Sequence, residues 1–286
     1  MKKLNLFVLS IACIGSALSF ASCGSSSKTI SVCASEQPHA EVLKEACADL
    51  LKEKGYTLKV KVLDWTQQND AVANKDYDAN YFQHIPYLQT FEGKGDKELV
   101  ATCKVHYEPL GIYKGNGTKD KLQDGKTFEI CADTSNAIRA LQLLEAKGVL
   151  TAEDLASAVN DETLTFDTTF TSANGVKITL IAEELLVASK SDYDFACLPC
   201  NTAITGNVSS DLQVAKEDDP AQVSAKANVL AVRKNDYLNN QNYKAKIDAL
   251  TDVLLSDAVS SYVKTKYLGA ITCDASSQID LRSTIK

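Results

Sequence analysis

The chain has 286 residues, 45% of them hydrophobic and 23% charged, with a formal net charge of −7. That composition is globular rather than disordered or fibrous, and the length exceeds what one hydrophobic core usually organises, so two lobes are expected. The acid excess is a poor electrostatic match for a phosphate backbone and argues against nucleic acid as a partner.

The N-terminus reads as an export signal. Lys2 and Lys3 precede an apolar run from Leu6 to Phe20 that is too short to span a bilayer and is followed by small residues. The segment ends Phe20-Ala21-Ser22-Cys23-Gly24, which resembles a bacterial lipobox with Phe20 where Leu is usual. Residues 1–22 are then the signal peptide, Cys23 the lipidation site, and residues 23–28 a Ser-rich tether that holds the body at a membrane. The plainer alternative is a cleaved signal with Cys23 left free. Removing residues 1–22 takes away two lysines and no acid, leaving 28 basic against 37 acidic side chains and a formal charge of −9.

In the body, Thr29–Ala34 reads as a buried strand and Ser35-Glu36-Gln37-Pro38 as the loop at its carboxyl end. A helix is expected from about His39, with Val42, Leu43, Ala46, Cys47, Leu50 and Leu51 on one face and Gly55 as its stop. Tyr56–Val62 alternates as a second strand, so the order strand–helix–strand implies a parallel pair. Ligands of such sheets bind at the carboxyl ends of strands, where the first loop and Asp64-Trp65 would lie.

A short helix near Gln67–Lys75 leads into Asn80–Phe91, which packs four aromatic rings, two Gln and a His into twelve residues. That density suits the wall of a small-ligand pocket, and ordinary core is the alternative. Val100–His106 is strand-like, Leu110–Tyr113 continues after Pro109, and Lys114–Thr118 is a turn cluster and candidate lobe boundary. Thr127–Ala132 reads as a strand, and the helix from about Ser135 to Lys147 has Asp133 and Ser135 as candidate caps. Residues 151–176 resolve only into a helix and a loose hairpin. Lys177–Ala182 and Tyr193–Leu198 read as strands around a helix at Glu183–Ser189, ahead of a Cys-Leu-Pro-Cys turn. Glu217-Asp218-Asp219-Pro220 reads as a solvated loop, Asn228–Val232 as a strand returning to the first lobe, and Tyr243–Leu255 and Asp257–Tyr267 as closing helices.

The fold class is therefore α/β, with two lobes, residues 29–114 plus 227–286 and residues 115–226, each a mixed sheet flanked by helices. A cleft between lobes joined by two crossing strands is the default ligand site, and hinge closure its usual motion. On an exported, tethered, acidic chain, these features suggest a solute-binding protein. Seven cysteines remain beyond Cys13 and Cys23, an odd number, so at least one is unpaired within the chain. Most of them sit in apolar strand-like runs or on an apolar helix face and read as small buried hydrophobes.

Four strings carry a more specific signal: Pro38-His39-Ala40-Glu41, Asp78 through Leu88, Lys104 through Tyr113, and Asn136 through Leu141. Together, and in this order, they resemble the NlpA/MetQ lipoprotein family over nearly the whole body of the chain. The resemblance implies a two-lobed periplasmic-binding-protein fold of the type II kind and a lipid-anchored, methionine-binding receptor of an ABC importer. It implies no enzyme activity, cofactor or metal. The partners are a methionine-like small molecule, a transporter permease and the membrane reached through the anchor, and a monomer is expected.

An amino acid presents a carboxylate, an ammonium and one side chain. Arg139, placed in the first turn of a helix, suits the carboxylate through a bidentate guanidinium and free backbone N–H groups, and Asn136, one turn earlier, can donate to the carboxylate or accept from the ammonium. Trp65, Tyr81, Phe82 and Tyr87 are expected around an apolar side chain, and His84 as a hydrogen-bond partner or thioether contact. Trp65 stands where the family pattern usually has Tyr. Where the family commonly has Asn-Gly-Asn or Asn-Thr-Thr, the chain has Pro199-Cys200-Asn201, so Asn201 alone is left for the ligand amine. This departure opens the ligand to another amino acid, the D-form or a small dipeptide.

Two rival readings come from the residues. His39, His84 and His106 would make a zinc receptor if they converged. Cys197 and Cys200 have redox spacing and would make a surface thiol oxidoreductase.

Overall fold

A computed structural model describes residues 28–286 except 118 and 163, so the signal peptide, lipidation at Cys23 and the tether up to residue 27 lie outside the described residues. Strand β1 (Thr29–Ala34) leads into a helical run, with π-turns at Glu36–Ala40 and Val42–Cys47 and the α-helix α1 at Ala48–Glu53. Gly55 ends that run at φ +81°, a conformation that costs glycine little, and β2 (Thr57–Val62) then pairs parallel with β1. The next helix, α2 (Trp65–Ala73), is capped by Asp64, whose carboxylate accepts the Thr66 N–H at 2.9 Å.

The aromatic stretch divides into β3 (Ala79–His84), buried at every position, and α3 (Ile85–Thr90), with Pro86 in the first turn where a missing N–H costs nothing. After β4 (Leu99–His106) the chain leaves the first sheet for β5 (Gly111–Lys114), β6 (Thr127–Cys131), α4 (Thr134–Ala146) and α5 (Ala152–Val159). The second lobe continues with β7 (Thr169–Thr171), β8 (Lys177–Ile181), α6 (Leu186–Ser189), β9 (Phe195–Leu198), α7 (Cys200–Thr205), β10 (Gln213–Lys216) and α8 (Pro220–Ala225). The return strand β11 (Asn228–Arg233) precedes α9 (Lys234–Asn239), α10 (Gln241–Leu254), α11 (Asp257–Tyr267) and the short β12 (Ile279–Asp280).

The strands form two six-stranded sheets, ordered β12-β4-β11-β3-β1-β2 and β10-β5-β9-β6-β8-β7. Each is mixed: β1 runs parallel to β2 and β3, and β6 parallel to β8 and β9, while β11 and β5 pair antiparallel with their neighbours. Val32, Leu43, Tyr81, Leu230 and Ile247 share one core, and Ile112, Phe128, Leu144, Ile178 and Phe195 the other. The expected two-lobed α/β organisation is present.

The boundary falls earlier than the turn cluster suggested. Strand β5 pairs with β9 and β10 of the second sheet, so Gly111–Lys114 belongs to the second lobe. The glycine turn after it lies inside that lobe, where a Cβ on Gly115 would meet the Tyr193 carbonyl oxygen at 2.1 Å. The chain crosses between sheets over residues 107–110 and again over 217–227.

Candidate ligand-binding cleft

A cavity of about 50 Å³ opens between the lobes and takes residues from both. Its first-lobe wall is aromatic. Phe82 and His84 of β3 line the cleft, α3 adds Tyr87, and α2 begins with Trp65. The rings meet edge to face, Trp65 to Tyr87 at 5.4 Å and Phe82 to Tyr87 at 5.7 Å between centroids. Tyr81, expected in this wall, is not part of the cavity lining. It is fully buried in the first-lobe core, with its hydroxyl on His106 Nδ1.

Beneath β3 lies a network that the sequence pattern did not reveal. Asn80 Nδ2 donates to Asn69 Oδ1 at 2.9 Å, and Gln83 Nε2 donates to Asn69 Oδ1 at 2.6 Å and Asn80 Oδ1 at 2.9 Å. These bonds satisfy amides that burial would otherwise penalise and fix the strand under the aromatic wall.

His84 carries the wall to the second lobe. Its Nδ1 accepts the Tyr87 N–H, which leaves Nε2 protonated to donate to Asn136 Oδ1 at 3.2 Å. Burial, and after it the nearby Arg139 charge, lower its pKa to about 4, so the ring is neutral at pH 7. Asp133, rather than Ser135, caps α4 by accepting the Asn136 N–H at 3.0 Å. The helix therefore starts at Thr134, and Arg139 stands in its second turn instead of its first.

Arg139 reaches the cleft largely committed. Nε and Nη2 donate to Glu217 at 3.1 and 2.6 Å, Nη2 also donates to the Glu108 carbonyl at 3.0 Å, and Nη1 donates to Asn136 Oδ1 at 3.1 Å. Of the five N–H donors of a guanidinium, one on Nη1 is left. An open bidentate fork for a carboxylate, which the sequence suggested, is absent because Glu217 occupies it. Glu217 itself is buried and also bound by Lys226 at 2.8 Å, so the expected solvated loop begins with a paired core charge.

The second-lobe wall is made by Glu183, Pro199, Cys200 and Asn201, with Asn201 Nδ2 lying 3.5 Å from Glu183 Oε1. Residues from the crossing segments and the first loop complete the lining: Glu108, Asn228 and Ser35. Ser35 lies in the first loop and Gln83 in the aromatic stretch that the sequence placed at the site, whereas Glu108, Glu183, Cys200 and Asn228 were not singled out as cleft residues. A carboxylate between two apolar strands at Glu108, and an Asn heading the apolar β11, are the signals that single out two of them.

The three histidines do not converge. His39 and His106 both place Nε2 on Glu108 Oε1, at 3.2 and 2.6 Å, and with Glu108 they lie within 4.8 Å of one another, whereas His84 bonds Asn136. Burial pushes His39 down to about 4, so the ring is neutral at pH 7, and its Nε2 hydrogen-bonds Asn228 Oδ1 at 3.3 Å. Cys197 and Cys200 are both free and buried, and burial pushes both thiols well above their ordinary range. An attacking thiolate needs the opposite environment. The described cysteines are all free, in keeping with small buried hydrophobes.

The NlpA lipoprotein family model matches residues 30–273. The chain is 38% identical over 282 residues to the methionine-binding lipoprotein MetQ of Bacillus subtilis, covering 95% of this chain and 98% of that one. A nutrient-binding protein from Burkholderia cenocepacia, solved bound to methionine, superposes with a TM-score of 0.69 at 28% identity, over 86% of this chain and 99% of that one. An ABC transporter periplasmic substrate-binding protein from Coxiella burnetii does so with a TM-score of 0.70 at 27% identity, over 86% and 100%. With a matching family model over most of its length and the two-sheet fold of these proteins, the chain belongs to the NlpA lipoprotein family.

Proposed function

We propose that the chain is a lipid-anchored extracytoplasmic receptor that closes its lobes over methionine or a closely related amino acid or dipeptide and presents it to an ABC importer. One observation carries this reading: a single interlobe cavity has an apolar aromatic wall at Trp65, Phe82 and Tyr87 and a polar end at His84, Asn136 and Arg139. The wall suits an unbranched thioether side chain, and the polar end suits an amino-acid headgroup. Burying such a side chain contributes about 1.5–3 kcal/mol, while micromolar affinity needs about 8 kcal/mol. Hydrogen bonds to the headgroup and lobe closure supply the difference. The free Nη1 hydrogen of Arg139 and the Asn136 amide are the donors for the ligand carboxylate. Anchoring at Cys23, the outer face of the membrane and a monomeric state complete the proposal.

Native mass spectrometry of gently purified protein, followed by acid release, tests it. A methionine-like amino acid or dipeptide is expected in the released fraction. Recovery of zinc, or of a ligand without an amino-acid headgroup, contradicts the reading.

A further inference from the structure

We propose that Glu183 is the anion that receives a primary ammonium of the ligand on the second-lobe wall of the cleft. This rests on the reading of the cleft as an amino-acid site and names the residue that recognises the amine. Glu183 lines the cavity at the start of the helical turn Glu183–Leu185. Its Oε1 accepts the Thr202 hydroxyl at 2.6 Å and the Asn201 amide at 3.5 Å, both from the first turn of α7. Those bonds hold the carboxylate in place and leave Oε2 without a hydrogen bond among the described residues.

No cationic side chain among the described residues pairs with it either, whereas Glu108, the other carboxylate of the lining, has the Nε2 atoms of His106 and His39 at 2.6 and 3.2 Å, and Glu217, behind Arg139, is matched by Arg139 and Lys226. The groups facing Glu183 add to the demand for a cation. Asp133 follows β6, Glu108 lies in the crossing segment, the Tyr87 hydroxyl comes from α3, and the neutral Cys131 thiol donates to Asp133 at 3.0 Å. Arg139, the cation of the cleft, is neutralised by Glu217. A cavity-lining carboxyl among acids, with one oxygen unbonded, is completed by an ammonium.

A protonation link follows. Burial first, and then the charge of Asp133, push the Glu183 carboxyl up to about 7, so the empty cleft holds it part-protonated at neutral pH. A bound ammonium favours the ionised form, so binding releases a proton near pH 7 and affinity rises as pH increases from about 6 to 8.

Calorimetry on the full mature protein, stripped of ligand, tests the assignment with L-methionine, D-methionine, glycyl-methionine and N-acetyl-methionine, on wild type and Glu183→Gln. The substitution keeps shape and removes charge, and a melting curve checks that it folds. Expected is a roughly tenfold to hundredfold loss of affinity in the variant for whichever amine-bearing ligand wild type prefers. N-acetyl-methionine should bind weakly and equally to both, and the pH dependence should flatten in the variant. Preference between methionine and glycyl-methionine tells an α-ammonium from a peptide amino terminus. Equal affinity of wild type and variant overturns the inference alone. Absence of binding by wild type to all four overturns the reading of the cleft as well. Binding of Ca²⁺ or Zn²⁺ that is lost in the variant overturns the inference by making Cys131, Asp133 and Glu183 a cation site.

Discussion

Glu217 accepts from the Arg139 guanidinium, the Lys226 ammonium, the Tyr107 hydroxyl and the Leu110 N–H, tying both crossing segments to α4. Its loss leaves two buried cations unmatched, and Glu217→Ala is expected to cost about 3–5 kcal/mol in urea unfolding. Burial alone would raise this carboxyl, but Arg139 and then Lys226 hold it down to about 2 from 4.5. Its contribution is therefore present above pH 4.5 and is lost as pH falls toward 2. Glu129 behaves oppositely. It is fully buried in β6, with Oε2 on the Ser189 hydroxyl and Oε1 unpartnered, and burial pushes it up to about 7. The folded state keeps a proton that the unfolded chain has lost, so stability falls as pH rises from about 4.5 to 7. Glu129→Gln is expected to gain on the order of 2 kcal/mol at pH 8 and little at pH 4 in thermal or urea unfolding. Neither role is legible in the sequence, where Glu217 heads an acidic run and Glu129 sits mid-strand, because a charge is matched only by contacts distant in the chain.

Elements with a strong period were legible. The alternating run at β2, the apolar face of α10 and the Asp-capped start of α4 appear close to where the pattern puts them. Short segments were not. Helix α7 follows Pro199 directly and has only six residues, and α9 is equally brief, too little for a 3.6-residue period to show. The density of rings in Asn80–Phe91 marked a pocket wall, but the division into strand and helix decides which rings reach it. Phe82 lines the cleft, while its neighbour Tyr81 is buried in the first-lobe core. The start of α4 matters to the cleft because it sets the register of Asn136 and Arg139. Asp133→Ala removes the cap and is expected to cost about 1 kcal/mol of stability, read by thermal unfolding.

At the scale of the whole molecule, two sheets of like strand order face each other across a cavity. The His84–Asn136 bond links them. The two-lobed plan was legible from strand–helix–strand order and the resemblance of four strings, while the boundary was misplaced because glycines at 115 and 117 mimic a linker. On the proposed reading, ligand recognition depends on both lobes at once, with the aromatic wall and His84 on one and Asn136, Arg139 and Glu183 on the other. Calorimetric titration of ligand-stripped protein with L-methionine, on wild type and on Phe82→Ala and Asn136→Ala, tests this most directly. Micromolar or tighter binding by wild type is expected, weakened at least tenfold by a change on either side of the cleft. Methionine binding that ignores both substitutions, or no amino-acid binding beside tight zinc binding, would contradict the account.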